Sequence, residues 1–120
     1  MCLFCKKAFE IIYENHHMYV IFDSYPVSKG HALIIPKRHI EHYFLATNDE
    51  IMSMHDALHV MKNRLDKMYQ PDGYNIGINN GEASGQTIFH LHVHLIPRYK
   101  GDMDKPQGGV RGVIPAKQKY

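Results

Sequence analysis

The chain lacks the long apolar run that a membrane span requires. No stretch of about 18 apolar residues occurs in it, so no transmembrane helix is expected. Met1-Cys2-Leu3-Phe4-Cys5-Lys6-Lys7 holds no apolar stretch of signal-peptide length, which makes a cytoplasmic location the default expectation. Charge of one sign is also scarce. A formal net charge of +2 is too small to make nucleic acid or a membrane the expected partner. Only two cysteines are present, and in a reducing compartment two cysteines do not suggest a structural disulfide. Linkers, internal repeats and low-complexity blocks are missing, and 120 residues suit one domain with one core. Hydrophobic content of 44% and charged content of 22% are ordinary for a globular chain. The abundance lies in histidine, of which there are ten.

Three of these histidines alternate in Phe89-His90-Leu91-His92-Val93-His94-Leu95-Ile96-Pro97. Alternation of this kind predicts a β-strand. Successive side chains on a strand face opposite ways, so His90, His92 and His94 are expected on one face and Leu91, Val93 and Leu95 on the other. If the apolar set is buried, a row of imidazoles remains accessible, spaced roughly 6.5–7 Å apart. Imidazole changes charge near neutral pH, attacks electrophiles and binds metals. A neutral ring attacking phosphorus turns one difficult displacement into two easier ones. The middle ring, His92, has a neighbour on each side to bind oxygens or move protons, so it is the expected nucleophile.

Other elements are punctuated clearly. Met18–Phe22 reads as a strand ended by Asp23-Ser24-Tyr25-Pro26, and Ala32–Ile35 as a second between Gly30 and Pro36. Thr47 and Glu50 have capping-box spacing, with Asp49 adding negative charge to the first turn. Ile51, Met54, Leu58, Met61, Leu65 and Met68 then form an apolar helical stripe that Pro71-Asp72-Gly73 terminates. Tyr74–Asn79 alternates again, and the glycine-containing stretch 81–85 can turn it back into the triad strand as a hairpin. The expected class is α+β: an antiparallel sheet of about five strands with one long helix on one face.

His90-x-His92-x-His94, the lead-in Asn79-Asn80-Gly81-Glu82-Ala83-Ser84-Gly85-Gln86-Thr87 and the segment Gly30–His39 together resemble the histidine triad family of nucleotide hydrolases and transferases. The resemblance runs from about Cys2 to about Asp102. It implies a histidine-triad domain over residues 1–108 with a tail at 109–120, and a homodimer whose sheets join edge to edge. It also implies that His92 carries a nucleoside monophosphate through its α-phosphate, and adenine is the expected base. His94 would contact phosphate or leaving-group atoms, and the family's fourth histidine matches His31. Asn79, Gln86 and Thr87 match phosphate or leaving-group contacts. Asp23 matches the acid that takes the ribose hydroxyls, with Ile21, Phe22 and Ser24 flanking the base. Residue chemistry alone leaves plainer roles open, since polar turns and a solvated histidine are common.

Cys2-Leu3-Phe4-Cys5 has the spacing for two thiolates on one tetrahedral metal but needs two more ligands. By resemblance to zinc-binding, bacterial-type members these are His39 and His90, with His42 as a substitute for either. Such a zinc would be structural, and the chemistry itself would need no cofactor. If His90 is a ligand, only His92, His94 and His31 remain for catalysis. Free thiols or a redox pair are the alternatives for the cysteines. For the whole chain, the alternatives are a metalloenzyme using His90, His92 and His94 as ligands, or a nucleotide-binding interaction module with little turnover. A histidine rather than glutamine at position 94 favours the hydrolase branches, without choosing between dinucleoside polyphosphates and nucleoside phosphoramidates.

Overall fold

The computed structural model describes residues 2–120. Five strands, β1 (Tyr13–Glu14), β2 (Met18–Phe22), β3 (Ala32–Pro36), β4 (Gly73–Gly77) and β5 (Val93–Arg98), form one sheet in the order β1-β2-β3-β5-β4. Every pairing is antiparallel. One helix, α1 (Asn48–Tyr69), packs on β2 and β3. The two-residue strand β1 has no clear signal in the sequence.

Alternation along the strands builds two apolar layers. Met18, Val20, Ala32, Ile34, Val93 and Leu95 face α1 and meet Met54, Ala57, Met61 and Leu65. Tyr19, Ile21, Leu33 and Ile35 face the other way and are covered by Phe4, with Cys2 and Phe9 at the edge. The second layer has no helix over it; the N-terminal segment serves as its lid.

α1 starts where the sequence signals it. The Thr47 side chain accepts from the Glu50 N–H at 3.1 Å, and Glu50 Oε1 accepts from the Thr47 N–H at 2.9 Å. The helix ends with Gln70 in the left-handed region at φ 49°, its N–H bonded to the Asp66 carbonyl. Among the described residues, no helix is long and apolar enough to cross a membrane.

The triad segment departs from expectation. The strand begins only at Val93, and residues 88–92 precede it as bend and irregular backbone. β3 pairs with Val93, His94 and Leu95, whereas the Leu91 N–H leaves the ladder and bonds the Ile40 carbonyl at 2.7 Å. The alternation of faces survives this departure: Leu91, Val93 and Leu95 are buried under α1. The hairpin partner β4 is likewise shorter than Tyr74–Asn79, and residues 78–92 connect it to β5 through a 3-10 turn at Glu82–Ser84.

Candidate active site

On the sheet face opposite α1 lies a cavity of about 360 Å³. His92 and His94 line it from the triad segment, His31 from the start of β3, and Asp23 and Ser24 from the turn after β2. Gly30 places His31: its φ of +90° suits glycine, and a Cβ there would meet the Leu65 and Tyr69 side chains at 3.0 Å.

Hydrogen bonds assign the tautomers of all three rings. His92 Nδ1 lies 2.8 Å from the His90 carbonyl, so Nδ1 carries the proton and donates it. The lone pair of His92 is therefore on Nε2. His31 Nδ1 accepts from the Val27 N–H at 3.1 Å, so its proton is on Nε2 and is donated to His94 Nδ1 at 2.9 Å. His94 then carries its own proton on Nε2. Burial holds His94 down to about 4, with His92 and His31 adding to the effect and Asp23 opposing it. Burial also lowers His31, against the pull of Asp23. Near neutral pH His31 and His94 are thus uncharged hydrogen-bond donors.

Asp23 Oδ2 sits 3.5 Å from His31 Nε2, and its Oδ1 accepts from the Tyr25 N–H at 2.9 Å. Asp23, His31 and His94 bring three donor atoms within 4.8 Å of one another. One of them, His31 Nε2, is protonated by the bonding just described and donates to His94, with Asp23 nearby as a charge partner. His90, His92 and His94 do not converge on a common point, since His90 turns towards the cysteines.

Ile21, Ser24, Asn79 and Thr87 are in the cavity wall. Two expected contacts are not. Phe22 follows Ile21 on β2, so strand alternation sends it to the opposite face, where it is 37% exposed. Gln86 is 3% exposed and fully used by backbone: its Oε1 accepts from the Gly81 N–H at 2.8 Å, and its Nε2 donates to the Glu41 carbonyl at 2.6 Å and the Ile88 carbonyl at 3.1 Å. Gln86 shapes the loop and does not face the cavity. Leu3, Phe4 and Phe9 do, and the sequence argument missed them. Their signal was the apolar side chains that accompany the two cysteines in Met1–Phe9, interrupted only by Lys6 and Lys7.

Cys2, Cys5, His39 and His90 place four ligand atoms within 4.8 Å of one another. Cys2 Sγ and Cys5 Sγ are each 3.4 Å from His90 Nδ1, Cys5 Sγ is 3.2 Å from His39 Nδ1, and the two Nδ1 atoms are 3.2 Å apart. Nitrogen and sulfur ligands on tetrahedral zinc lie about 3.3–3.8 Å apart, so the set comes within a few tenths of an ångström of fitting that ion. His90 Nε2 donates to the Pro36 carbonyl at 2.8 Å, which leaves the Nδ1 lone pair aimed at the centre of the cluster. His42 is not in this set; its Nδ1 is the buried side-chain atom without a partner among the described residues.

A family model described as HIT domain matches residues 6–101. Protein hit of Bacillus subtilis strain 168 is 40% identical over 107 residues, covering 84% of this chain and 74% of that one. Adenylylsulfatase HINT3 of Arabidopsis thaliana is 36% identical over 106 residues, 84% of this chain and 54% of that protein. A crystal structure of a HIT family protein from Bacillus anthracis is similar with a TM-score of 0.80 at 37% identity, covering 84% of this chain and 75% of that chain. A hypothetical histidine triad nucleotide-binding protein from Sulfolobus tokodaii gives 0.77 at 37% identity, with 83% and 70% covered. A Zn-bound histidine triad family protein from Mycobacterium smegmatis gives 0.74 at 32% identity, with 84% and 77% covered. Because the family match takes in the sheet, the helix and most of the cavity wall, the chain belongs to the HIT family.

Proposed function

We propose that this HIT protein is a nucleotide hydrolase or nucleotidyl transferase that works through a covalent nucleotidyl-histidine on His92. HIT family proteins include nucleotide-binding proteins and nucleotide hydrolases, which supports the class of activity. The observation that carries the proposal is the tautomer of His92. Its Nδ1 proton is held by the His90 carbonyl, so the Nε2 lone pair is available in a cavity that also holds His94.

Nε2 attacks the α-phosphorus, a P–N bond forms, and the bond to the leaving group breaks with its electron pair going to that group. The ring becomes cationic on attack, and the Nδ1–H···O=C bond to His90 stabilises that charge. His94 Nε2–H meets the negative charge on phosphate or leaving-group oxygen. Water then attacks phosphorus and gives up a proton to solvent, the P–N bond breaks, and its pair returns to Nε2. Asp23 accepts the ribose hydroxyls, with Ile21 and Ser24 beside the base and Asn79 and Thr87 at the phosphate side. The substrate class is a nucleoside phosphoramidate or a dinucleoside polyphosphate. Adenine is favoured because one relative is named an adenylylsulfatase.

Zinc held by Cys2, Cys5, His39 and His90 would be structural. With all four positions filled by protein it would have none open for substrate, so this ion would take no part in the chemical step. A Zn-bound relative supports this assignment. β4 is an open edge of the sheet, and a second copy pairing along it would make a homodimer. The expected compartment is the cytoplasm.

The test is to mix the protein with a labelled adenylate donor, quench in alkali and map the adduct by mass spectrometry. The nucleotide is expected on His92 through an acid-labile, alkali-stable bond. His92→Ala should abolish the adduct and lower turnover by at least about 1000-fold. Turnover without any adduct on His92 would overturn the mechanism, and tight binding with no turnover would favour an interaction module.

A further inference from the structure

The candidate metal knot and the nucleophile are joined through two residues. His90 offers its Nδ1 to the cluster with Cys2 and Cys5, while its main-chain carbonyl takes the His92 Nδ1 proton at 2.8 Å. Phe4 sits between the two cysteines and is 2% exposed. Its ring lies edge-on to His92 at 5.1 Å between centroids and edge-on to His90 at 6.0 Å. The Tyr19 hydroxyl donates to the Phe4 carbonyl, which pins the knot to β2. Leu3, Phe4 and Phe9, all from this segment, line the cavity.

We infer that the N-terminal knot is a working part of the nucleotide site and that Phe4 is a positioning residue for His92. The side chain of His92 has two rotatable bonds, and the carbonyl bond alone fixes only one edge of the ring. Phe4 closes off the space into which the ring would otherwise swing. His90, anchored through its side chain, holds the carbonyl where the Nδ1 proton needs it. An edge-to-face aromatic contact is worth up to about tenfold in an equilibrium, and misplacing an attacking atom costs rate directly. The inference rests on His92 being the nucleophile. It adds that the knot governs how that ring is presented.

The test uses the full chain loaded with zinc, the same protein after chelation, and Phe4→Leu, which keeps an apolar side chain and both thiolates. Circular dichroism follows the fold, metal analysis follows occupancy, and nitrogen-detected NMR of the imidazoles reads the His92 tautomer without substrate. In the loaded native protein His92 is expected as a single Nδ1–H form. Phe4→Leu should retain one zinc per chain and its helix signal, yet show mixed His92 tautomers and a kcat lowered about tenfold. Chelation should mix the tautomers too and weaken binding of adenosine monophosphate about tenfold. If chelation melts the helix signal, the zinc-loaded Phe4→Leu protein decides the matter by itself. A loaded Phe4→Leu protein with native kcat and one tautomer overturns the inference and leaves nucleotidyl transfer by His92 standing. A loaded native protein that neither binds nor turns over nucleotide overturns both.

Discussion

His94 shows how one residue acquires its role from its neighbours. As a sequence position it is one of three equivalent imidazoles. In the fold its Nδ1 accepts a hydrogen bond from His31 Nε2–H, and burial holds it down to about 4. A histidine depressed in the folded state binds its proton more readily when unfolded. Its contribution to stability is therefore complete above about pH 6.5 and is lost as pH falls towards about 4. Urea midpoints measured across that range should fall for the native chain. His94→Asn should flatten the fall, with His31, also lowered by burial, accounting for part of the remaining slope. An unchanged slope in the variant would mean that His94 stays protonated in the fold. Asp23 and His92 are the other titratable groups acting on the His94 ring, and they act in opposite directions.

Among the elements, α1 was the most legible. Thr47, Glu50 and the apolar stripe depend on local spacing, and the capping box forms as written. What the spacing could not show is that Glu50, 2% exposed, also receives Arg38. Arg38 Nη2 donates to Oε1 at 2.8 Å and Nε to Oε2 at 3.1 Å. That pair ties the N-terminus of α1 to the residues just after β3, the stretch that also carries His39. The Arg38 guanidinium holds the Glu50 carboxyl below its usual range, so this contribution is present at neutral pH and is lost as pH falls through the carboxylate range. Arg38→Ala leaves the buried carboxylate with the Thr47 N–H alone and should lower the urea midpoint. Glu50→Gln keeps an acceptor for the Thr47 N–H and should cost less, about 1 kcal/mol. The triad strand was the less legible element. Its alternation was correct for faces but not for ladder, because Leu91 bonds to Ile40 and the His90 ring to Pro36, neither of which is near in sequence.

For the whole molecule, the sheet has a helix on one face and the N-terminal segment, with Ile88, on the other. Phe4 is the buried residue that closes the second layer over Tyr19, Ile21, Leu33 and Ile35. A metal bound only by the folded state stabilises that state by mass action. Removing it with a strong chelator should lower the thermal midpoint by about 10 °C. Hydrogen exchange should rise along β2 and β3 while the centre of α1 stays protected. A midpoint that ignores chelation would mean the four ligands do not hold a stabilising ion.

The sequence by itself determined the class of fold, the start of α1, the two-faced character of the triad segment and the candidate chemistry of His92. These depend on periodicity and on side-chain type, which act over a few residues. Tertiary structure decided which nitrogen of each imidazole carries the proton. The proton on each ring is set by carbonyls and N–H groups of His90, Val27 and Pro36, brought to it by chain packing. The same packing turned Phe22 away, consumed both ends of Gln86 and laid Phe4 against His92. A hydrogen-bond partner distant in sequence leaves no periodic trace, so only the folded chain could show these contacts.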